Sequence, residues 1–574
     1  MPVYNSEVAN ILEEVADILD IQGANQFRIR AYRNAARKVR NLSRSLEDMV
    51  NKGKDLTEIE GVGKDMANKL EEIARTGKLK QLEELKGEFP EALTTLLSIE
   101  GLGPERVGDL HQELGIETTK DLEKALEEGK VQELHGFGEK ITAKIKKALE
   151  EGPGEEKRTK LKVAEQYVEP LVQYLKKDPN TKDVVVAGSY RRKKETVGDI
   201  DILTTGKKGE GIIHRFTEFE DIGEIVSEGE TKSTVKLRTG IQVDLRVVAE
   251  ESYGAALMYF TGSKAHNIKL RNLALKERLK LNEYGVFRGE ESVAGETEEE
   301  IYKLFNLPYI PPEIREDRGE VEAAKEGNLP NLVKLDDIRG DLQIHTKNSD
   351  GEEPIETMVK KCKKLGYEYI AITDHSAYMG ITQGLDKEGV EEQIKQIKKI
   401  NKKLDGITIL SSIEVDIMED GSLDLPNNTL KKLDIVTCSI HSKFNLPPKE
   451  QTQRILNAMD NPYFHIFGHP TGRVIGGRSG YEYDMEKVFK KAKEKNCFLE
   501  INAQPDRLDL DDAYAKMAKE LGVKMTISSD AHSLEELDFL KYGINQARRG
   551  WLEPHDVLNT YPLTELQNLL QKEG

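Results

Sequence analysis

Apolar and polar positions follow three successive patterns along this chain. In the first 150 residues apolar side chains recur at helical spacing, as at Val8, Ile11, Leu12, Val15, Ile18 and Leu19, which predicts an all-helical region. Within it a short pattern occurs three times: Ile59-Glu-Gly-Val-Gly63, Ile99-Glu-Gly-Leu-Gly103 and Leu134-His-Gly-Phe-Gly138, each followed by a helical stretch. The segment Glu150–Glu156 (EEGPGEE) breaks the period and reads as a boundary. Beyond it strands are predicted at Asp183–Ala187 and Thr196–Leu203, with a hairpin formed by Val235–Leu237 and Gln242–Val248 around Thr239-Gly240. Residues 254–310 are expected to return to helices, and residues 319–336 read as a polar connector. From Asp341 onward strands and helices alternate, with strand candidates at Asp341–His345, Tyr369–Thr373, Ile407–Val415, Ile435–Ile440, Phe464–Phe467, Cys497–Asn502 and Lys524–Ser528. Seven β/α units predict a barrel-like parallel sheet.

Composition narrows the function classes. A chain of 574 residues is long enough for three or four domains. No apolar run approaches the ~18 residues of a membrane span, so an integral membrane protein is excluded. The N-terminus is acidic and amphipathic, unlike a secretory signal. Cys362, Cys438 and Cys497 are odd in number and far apart, which argues against a disulfide framework and for a reducing cytoplasm. The net charge of −18 excludes a wholly basic nucleic-acid coat. Charge is uneven, however. Asn25–Leu46 holds seven basic residues, Arg28, Arg30, Arg33, Arg37, Lys38, Arg40 and Arg44, and no acidic one. A solvated helix face would interleave Glu with Lys, so this run is read as contacting phosphates.

The three glycine patterns resemble the helix–hairpin–helix motif. Gly61, Gly63, Gly101, Gly103, Gly136 and Gly138 would let the backbone turn sharply and leave amide N–H groups at helix N-termini, where a DNA phosphate can sit.

The first chemical constellation is carboxylate-rich. Asp199 and Asp201 stand two apart on an apolar strand and so share a face, and Asp244 lies on an expected neighbouring strand. Three converging carboxylates repel unless cations neutralise them, and hard oxygen ligands suit Mg²⁺. Gly188-Ser-Tyr-Arg-Arg192 directly follows a strand and can offer N–H, O–H and guanidinium groups to a phosphate. With Tyr259-Phe-Thr-Gly-Ser263 these pieces make residues 1–315 resemble a family X DNA polymerase, the group that includes DNA polymerase beta. The resemblance implies that Asp199, Asp201 and Asp244 hold two Mg²⁺ ions. It implies that Gly188, Ser189 and Arg192 meet the triphosphate of a dNTP, that Tyr259, Phe260 and Gly262 face its sugar, and that Asn267 and Arg271 lie on the base and template side. Lys69 matches the family's Schiff-base lysine, although Phe27 and Asp65 stand where the animal enzymes have His and Lys.

The second constellation is imidazole-rich. Of 11 histidines, His345, His375, His441, His469 and His532 fall at or just beyond expected strand ends, with Asp350, Glu414 and Asp530. In a β/α barrel such ends form one mouth, and mixed imidazole and carboxylate ligands suit Zn²⁺, Mn²⁺ or Fe²⁺. The segment resembles a PHP (polymerase and histidinol phosphatase) domain, which implies a Mn²⁺ or Zn²⁺ centre of two or three ions. The family's first motif is His-x-His, and here Gln343 replaces its first member, so one metal position is expected to be weakened.

The expected fold is therefore multidomain. An all-α helix–hairpin–helix region would comprise residues 1–85, DNA-binding and lyase-like, and 86–153, of fingers type. An α/β nucleotidyltransferase palm would follow at 154–253 and an α-rich thumb at 254–318. A linker at 319–336 would lead to a distorted (β/α)7 barrel at 337–574. The expected function is filling short gaps in DNA repair, with 3′-5′ exonuclease or 3′-end processing and abasic-site cleavage in the PHP domain. The expected partners are gapped or primed DNA and dNTPs, with no membrane, for a monomer. Two alternatives stand beside it: a PHP domain without hydrolytic activity that braces the polymerase, and one that acts on small phosphate esters.

Overall fold

The structure is a computed structural model that describes residues 5–571 except 41, 43–45, 60, 89–92, 94–95, 97–98, 100–101, 139–140, 144, 147–148, 150–157, 207–208 and 379–383. Gly101 and the boundary at Glu150–Glu156 lie outside the described residues. The chain forms two compact units, Met1–Lys157 and Arg158–Gly574.

The first unit is helical as the periodicity predicts. Its helices include Asn5–Ile21, Gln26–Arg40, Lys64–Thr76, Pro104–Leu114 and Thr119–Glu127. They close over one core that contains Val8, Leu12, Val15, Leu70, Ile73 and Leu110. Gly63 and Gly103 are the N-caps of Lys64–Thr76 and Pro104–Leu114, and neither has a side chain to satisfy the first-turn amides. Gly61 and Gly136 hold φ of +82° and +86°, a conformation that glycine enters without a Cβ clash.

Among the described residues the second unit holds five sheets. Short β1 (Thr159–Lys160) pairs with β3 (Thr196–Val197). A five-stranded sheet runs in the order β2 (Thr181–Val186), β4 (Asp199–Gly206), β7 (Gln242–Val248), β6 (Lys232–Leu237), β5 (Ile222–Glu228). The predicted hairpin is β6–β7, antiparallel, while β4 and β7 run parallel. Edge strand β5 escaped the sequence reading because its apolar residues are mostly exposed and interrupted by Glu224 and Ser227. Residues 254–310 are not wholly helical. After the helices Tyr253–Thr261 and Lys264–Lys276, an antiparallel sheet of β8 (Lys280–Asn282), β9 (Gly285–Arg288) and β10 (Glu291–Ala294) intervenes. The 319–336 segment is not a loose connector either. The helix Glu320–Glu326 lies in it, and Val321, Ala324 and Leu332 enter the same core as Leu270 and Ile301.

The C-terminal strands are β11 (Gly340–Ile344), β12 (Tyr369–Ile372), β13 (Thr408–Ser411), β14 (Glu414–Asp416), β15 (Thr437–Ser439), β16 (Ile466–Phe467), β17 (Phe498–Asn502) and β18 (Met525–Ser528). All adjacent pairs are parallel, in one sheet of β11–β13 and one of β14–β18. The expected strand Ile407–Val415 is broken between Ser411 and Glu414, which divides the two sheets. Isolated parallel bridges join them at His375 with Glu414 and at Ile344 with Ala531. Helix Leu563–Leu570 closes the far end, with Leu566 and Leu570 packed on Leu342, Tyr369 and Ile466.

These domains share cores. Leu508 and Tyr542 of the C-terminal domain pack with Leu161, Leu171 and Phe216 beside the five-stranded sheet. Trp551 packs with Leu332, Ile314 and Phe305. Polar contacts reinforce the seam: Arg473 pairs with Glu195 at 2.7 Å, Lys160 with Asp506 at 2.7 Å, and the Tyr542 hydroxyl donates to Glu165 at 2.6 Å.

Two candidate active sites and their relatives

The parallel pairing of β4 with β7 sets Asp201 directly opposite Asp244, and strand alternation puts Asp199 on the same face as Asp201. Burial first, then the charges of Asp199 and Asp244, push the Asp201 carboxyl up to about 7. Such a trio costs stability until a divalent cation neutralises it, so the donor set fits Mg²⁺. Asp244 is oriented by the Thr234 hydroxyl and by the Gln242 amide at 3.0 Å.

A cleft of about 480 Å³ opens beside Asp199 and Asp201. Gly188, Ser189, Arg192, Tyr259, Phe260, Gly262, Asn267 and Arg271, all proposed from sequence, line it. Gly188 begins a short helix, Gly188–Arg191, at φ +62°, and a Cβ there would stand 2.9 Å from Asp201 Oδ2. Asn267 donates to the Tyr259 carbonyl at 2.7 Å and so ties helix Lys264–Lys276 to the end of helix Tyr253–Thr261. The Phe260 ring meets Tyr259 edge-on at 5.1 Å and carries the Arg246 guanidinium over its face at 4.4 Å. Arg158, Lys194 and Lys264 also line the cleft and were missed. Arg158 is isolated in sequence, and only the fold brings it to Thr196, whose carbonyl it reaches at 2.9 Å.

In the first unit the glycine turns leave room for a ligand. A Cβ built at Gly61, Gly63, Gly103, Gly136 or Gly138 meets nothing within 4 Å. Arg28 and Arg30 are exposed. Arg33 differs from the expectation: Asp17 and Asp20 of the first helix hold it at 3.2 and 2.8 Å. The run lacks acidic residues along the chain, but folding supplies them from a neighbouring helix. Lys69 is likewise not prepared as a nucleophile. Burial works against its charge, yet Asp65 and Tyr32 outweigh burial and raise the ammonium above the ordinary lysine value. A Schiff base needs the opposite shift.

At the other site, His345, His375, His441, His469, Asp530 and His532 all follow strand ends, while Glu414 starts β14 after the break. Ligand atoms of His345, Asp350, His375 and His532 lie within 4.8 Å of one another, as do those of His375, Glu414 and His441, and those of His345, Glu414 and Asp530. His469 joins none of these sets, but its Nε2 is 3.0 Å from Glu414. His345 is wholly buried, with Nε2 at 3.0 Å from Asp530 and 3.5 Å from Glu414. Buried imidazole nitrogens and carboxylates that converge in this way fit divalent cations of the Zn²⁺ or Mn²⁺ type. Burial, His345 and His441 drive His375 down to about 4 despite Glu414, whereas Glu414 and Asp416 overcome burial and lift His441 to about 10.

Several supports of this site were not legible in sequence. Asp416 meets His441 Nδ1 at 3.2 Å. Glu500 accepts the His469 backbone N–H at 2.6 Å, and Asn502 donates to both Glu500 and Asp530. His469 and Asp530 hold φ of +27° and +53°, strained for residues with a side chain. His465 is core, accepting the Val436 N–H through Nδ1. Gln343 is buried beside the site, with Nε2 at 3.4 Å from Asp530 and Oε1 unpartnered. Its amide thus stands near the three-ligand set of His345, Glu414 and Asp530 without adding an imidazole. Gln343→His is expected to add about one ion per chain by elemental analysis and to raise 3′-end hydrolysis, because a fourth ligand, its second nitrogen, completes that set. Unchanged metal content and rate would mean that the set is already complete.

Family models match along most of the chain: a helix-hairpin-helix domain at residues 3–79, a SAM-like helix-hairpin-helix tandem at 93–151, the DNA polymerase beta palm at 157–239, the DNA polymerase beta thumb at 256–316 and a PHP domain at 341–504. The chain is 37% identical over 574 residues to the "DNA polymerase/3'-5' exonuclease PolX" of Bacillus subtilis, covering 99% of this chain and 100% of the relative. The chain belongs to the family X DNA polymerases that carry a PHP domain. Its C-terminal part also resembles proteins named as probable phosphatases. One from Thermoanaerobacter sp. is 34% identical over 232 residues, which is 38% of this chain and 90% of that protein. One from Clostridium novyi is 32% identical over 207 residues, 33% of this chain and 78% of that protein. Among the described residues no helix is long and apolar enough to cross a membrane.

Proposed function

We propose that this protein extends primed or gapped DNA with dNTPs at the Asp199, Asp201 and Asp244 site and removes 3′-terminal nucleotides at the PHP site, in the filling of short repair gaps. The observation that carries the first half is the register pairing of Asp201 with Asp244 beside a cleft lined by Ser189, Arg192 and Lys194. When bound, Mg²⁺ at the aspartates and Mn²⁺ or Zn²⁺ at the histidines supply Lewis acidity that polarises the reacting oxygens. Around the aspartates, Ser189 and the guanidinium of Arg192 bind the triphosphate, Tyr259 and Gly262 seat the sugar, and Asn267 keeps that segment in place. At the PHP site, His345, Asp350, His375, Glu414, His441, Asp530 and His532 would hold the cations through three overlapping ligand sets, with His469 against Glu414. The eight parallel segments then form a distorted (β/α)7 barrel in which β13 and β14 count as one broken strand. The palm is assigned to 154–253, the thumb to 254–318 and the PHP domain to 337–574, with cleavage at abasic sites as a further reaction of the PHP centre.

The decisive experiment uses full-length protein with the polymerase centre disabled by Asp244→Ala. Its metal-dependent release of nucleotides from 3′-labelled single-stranded DNA is compared with its release of phosphate from a small monoester. DNA hydrolysis in excess over monoester hydrolysis is expected. The reverse order would place the PHP domain with the small-ester phosphatases.

DNA affinity is expected to fall steeply with salt, as backbone contacts release counterions. Replacing Arg28 and Arg30 together by Ala should flatten the log–log slope by about 1.5 to 2, one phosphate contact each. Arg33→Ala should leave the slope nearly unchanged, because Asp17 and Asp20 already neutralise it. Equal effects at all three positions would put Arg33 on the DNA path after all.

A further inference from the structure

One wall residue of the cleft, Arg192, belongs to a buried group of charges that extends into the PHP domain. Arg192, on the cleft wall, is held on two sides. Its Nε donates to Glu316 Oε1 at 3.0 Å, and its Nη1 to the Thr261 carbonyl at 2.5 Å. Both partners belong to the thumb region. The third restraint comes from the hydrolytic domain. The PHP helix Leu540–Arg549 ends with Arg549, whose Nη1 donates to the Arg192 carbonyl at 2.8 Å and to Glu316 Oε1 at 3.1 Å. Its Nη2 donates to Asp512 Oδ2, at the start of helix Asp512–Glu520, and Arg318 Nη1 reaches the same carboxylate at 3.0 Å. Arg549 is only 3% exposed. One guanidinium therefore ties the backbone of Arg192 and the carboxylate that orients the Arg192 side chain to a single PHP anchor.

The charge count gives this group a direction. Arg192, Lys194, Arg318 and Arg549 gather around two carboxylates, Glu316 and Asp512. Against the cost of burial, Arg549 and Arg192 hold the Glu316 carboxyl down at about 2, so it stays charged. Both carboxylates are used, yet positive charge is left over, and it faces the cleft through Arg192 and Lys194. Buried cations in excess of anions are costly unless an anion completes them, and a triphosphate supplies that charge.

We propose that Arg549 is a positioning residue for nucleotide addition: through Glu316 and the Arg192 carbonyl, the PHP domain fixes the Arg192 guanidinium at the triphosphate end of the polymerase cleft. The proposal rests on the reading that Arg192 contacts the triphosphate. It makes dNTP binding depend on a residue of the domain that carries the other active site, while hydrolysis does not depend on it, since Arg549 lies outside the imidazole cluster.

The test is steady-state extension of primed DNA by the full-length protein, with KM for dNTP and kcat measured separately. Arg549→Met is expected to raise KM roughly tenfold, the worth of one charge-assisted contact, with kcat within about twofold. Arg549→Lys should recover part of the loss, since one ammonium can meet Glu316 or Asp512 but not bridge both with the Arg192 carbonyl. Arg192→Ala with Arg549→Met should bind dNTP no worse than Arg192→Ala alone, because the two act through one group. Release of 3′ nucleotides by the same preparations should stay at the wild-type rate. An unchanged KM in Arg549→Met, or a fall in kcat with KM unchanged, would reduce Arg549 to interface packing and overturn the proposal. If Arg549→Met does not fold, Asp512→Asn decides on the same readout: a raised KM supports the coupling and an unchanged KM overturns it. If Arg192→Ala itself leaves KM unchanged, the triphosphate reading fails first and takes the proposal with it.

Discussion

Asp244→Ala is expected to lower nucleotide addition by at least about a thousandfold, some 4 kcal/mol of transition-state stabilisation, while DNA affinity stays within about twofold. Asp244 sits opposite Asp201 in the register of β4 and β7, beside the proposed triphosphate cleft. In the proposed reading DNA is held elsewhere, by the glycine turns and exposed arginines of the first unit. Asp244→Asn separates chemistry from folding. It keeps an acceptor for Thr234, while Gln242 can turn its amide so that its oxygen accepts from the new N–H, and it removes one of three charges that repel in a half-buried site. Without divalent metal it should therefore melt no lower than wild type, and slightly higher if the repulsion is the larger effect. Loss of activity with a retained or raised melting midpoint identifies a catalytic carboxylate. Primer extension at the wild-type rate would remove Asp244 from the site.

The catalytic strands were readable because their chemistry is written locally. Asp199 and Asp201 share a face by strand alternation alone, and six of the seven C-terminal strand candidates are apolar runs with a His, Asp or Glu at or just beyond their end, Cys497–Asn502 being the exception. What escaped the reading depends on contacts between distant segments. Arg33 stands in a basic run, and only the packing of the first two helices delivers Asp17 and Asp20 to it. Arg158 has no motif around it and reaches the cleft through the pairing of β1 with β3. The break after Ser411 is also a tertiary effect. Ile407–Val415 is continuous in hydrophobicity, but the chain must step from one sheet to the other so that Glu414 can bridge His375.

Residues 319–336 show the same limit from the other side. Their composition is polar enough to read as a connector. Yet Val321, Ala324 and Leu332 are buried in the thumb core, and Arg318 just before them reaches Asp512 of the PHP domain. A few apolar residues in a polar segment suffice when two folded surfaces already stand on either side. The consequence is structural: the thumb, the palm and the PHP domain pack into one compact unit, so the imidazole cluster and the cleft beside Asp199 and Asp201 lie in the same unit.

That shared body makes Glu414 the sharpest test of separate chemistries. Glu414→Ala is expected to abolish removal of 3′ nucleotides, again by at least about a thousandfold, with primer extension retained. Glu414 is fully buried and belongs to two of the three candidate ligand sets, bridging His375 and His441 in one and His345 and Asp530 in the other, with His469 at 3.0 Å. Its charge outweighs burial, because His375 and His441 hold its carboxyl well below the usual range. Removing it without replacement takes the carboxylate from His469 and leaves His441 with Asp416 alone, and losing one partner of a buried pair costs about 3–5 kcal/mol. Glu414→Gln keeps the volume and an acceptor for His469 and isolates the loss of ligand charge. Both variants should lose bound Mn²⁺ or Zn²⁺ by elemental analysis, and Glu414→Gln should keep a melting midpoint closer to wild type. Primer extension persists because Asp199, Asp201 and Asp244 contribute no ligand to the imidazole cluster. Hydrolysis that survives in Glu414→Gln with metal content intact would remove Glu414 from the centre. If metal-loaded protein with an intact Glu414 leaves 3′ ends untouched, the PHP domain serves the polymerase as a brace, through the contacts of Arg473, Tyr542 and Arg549.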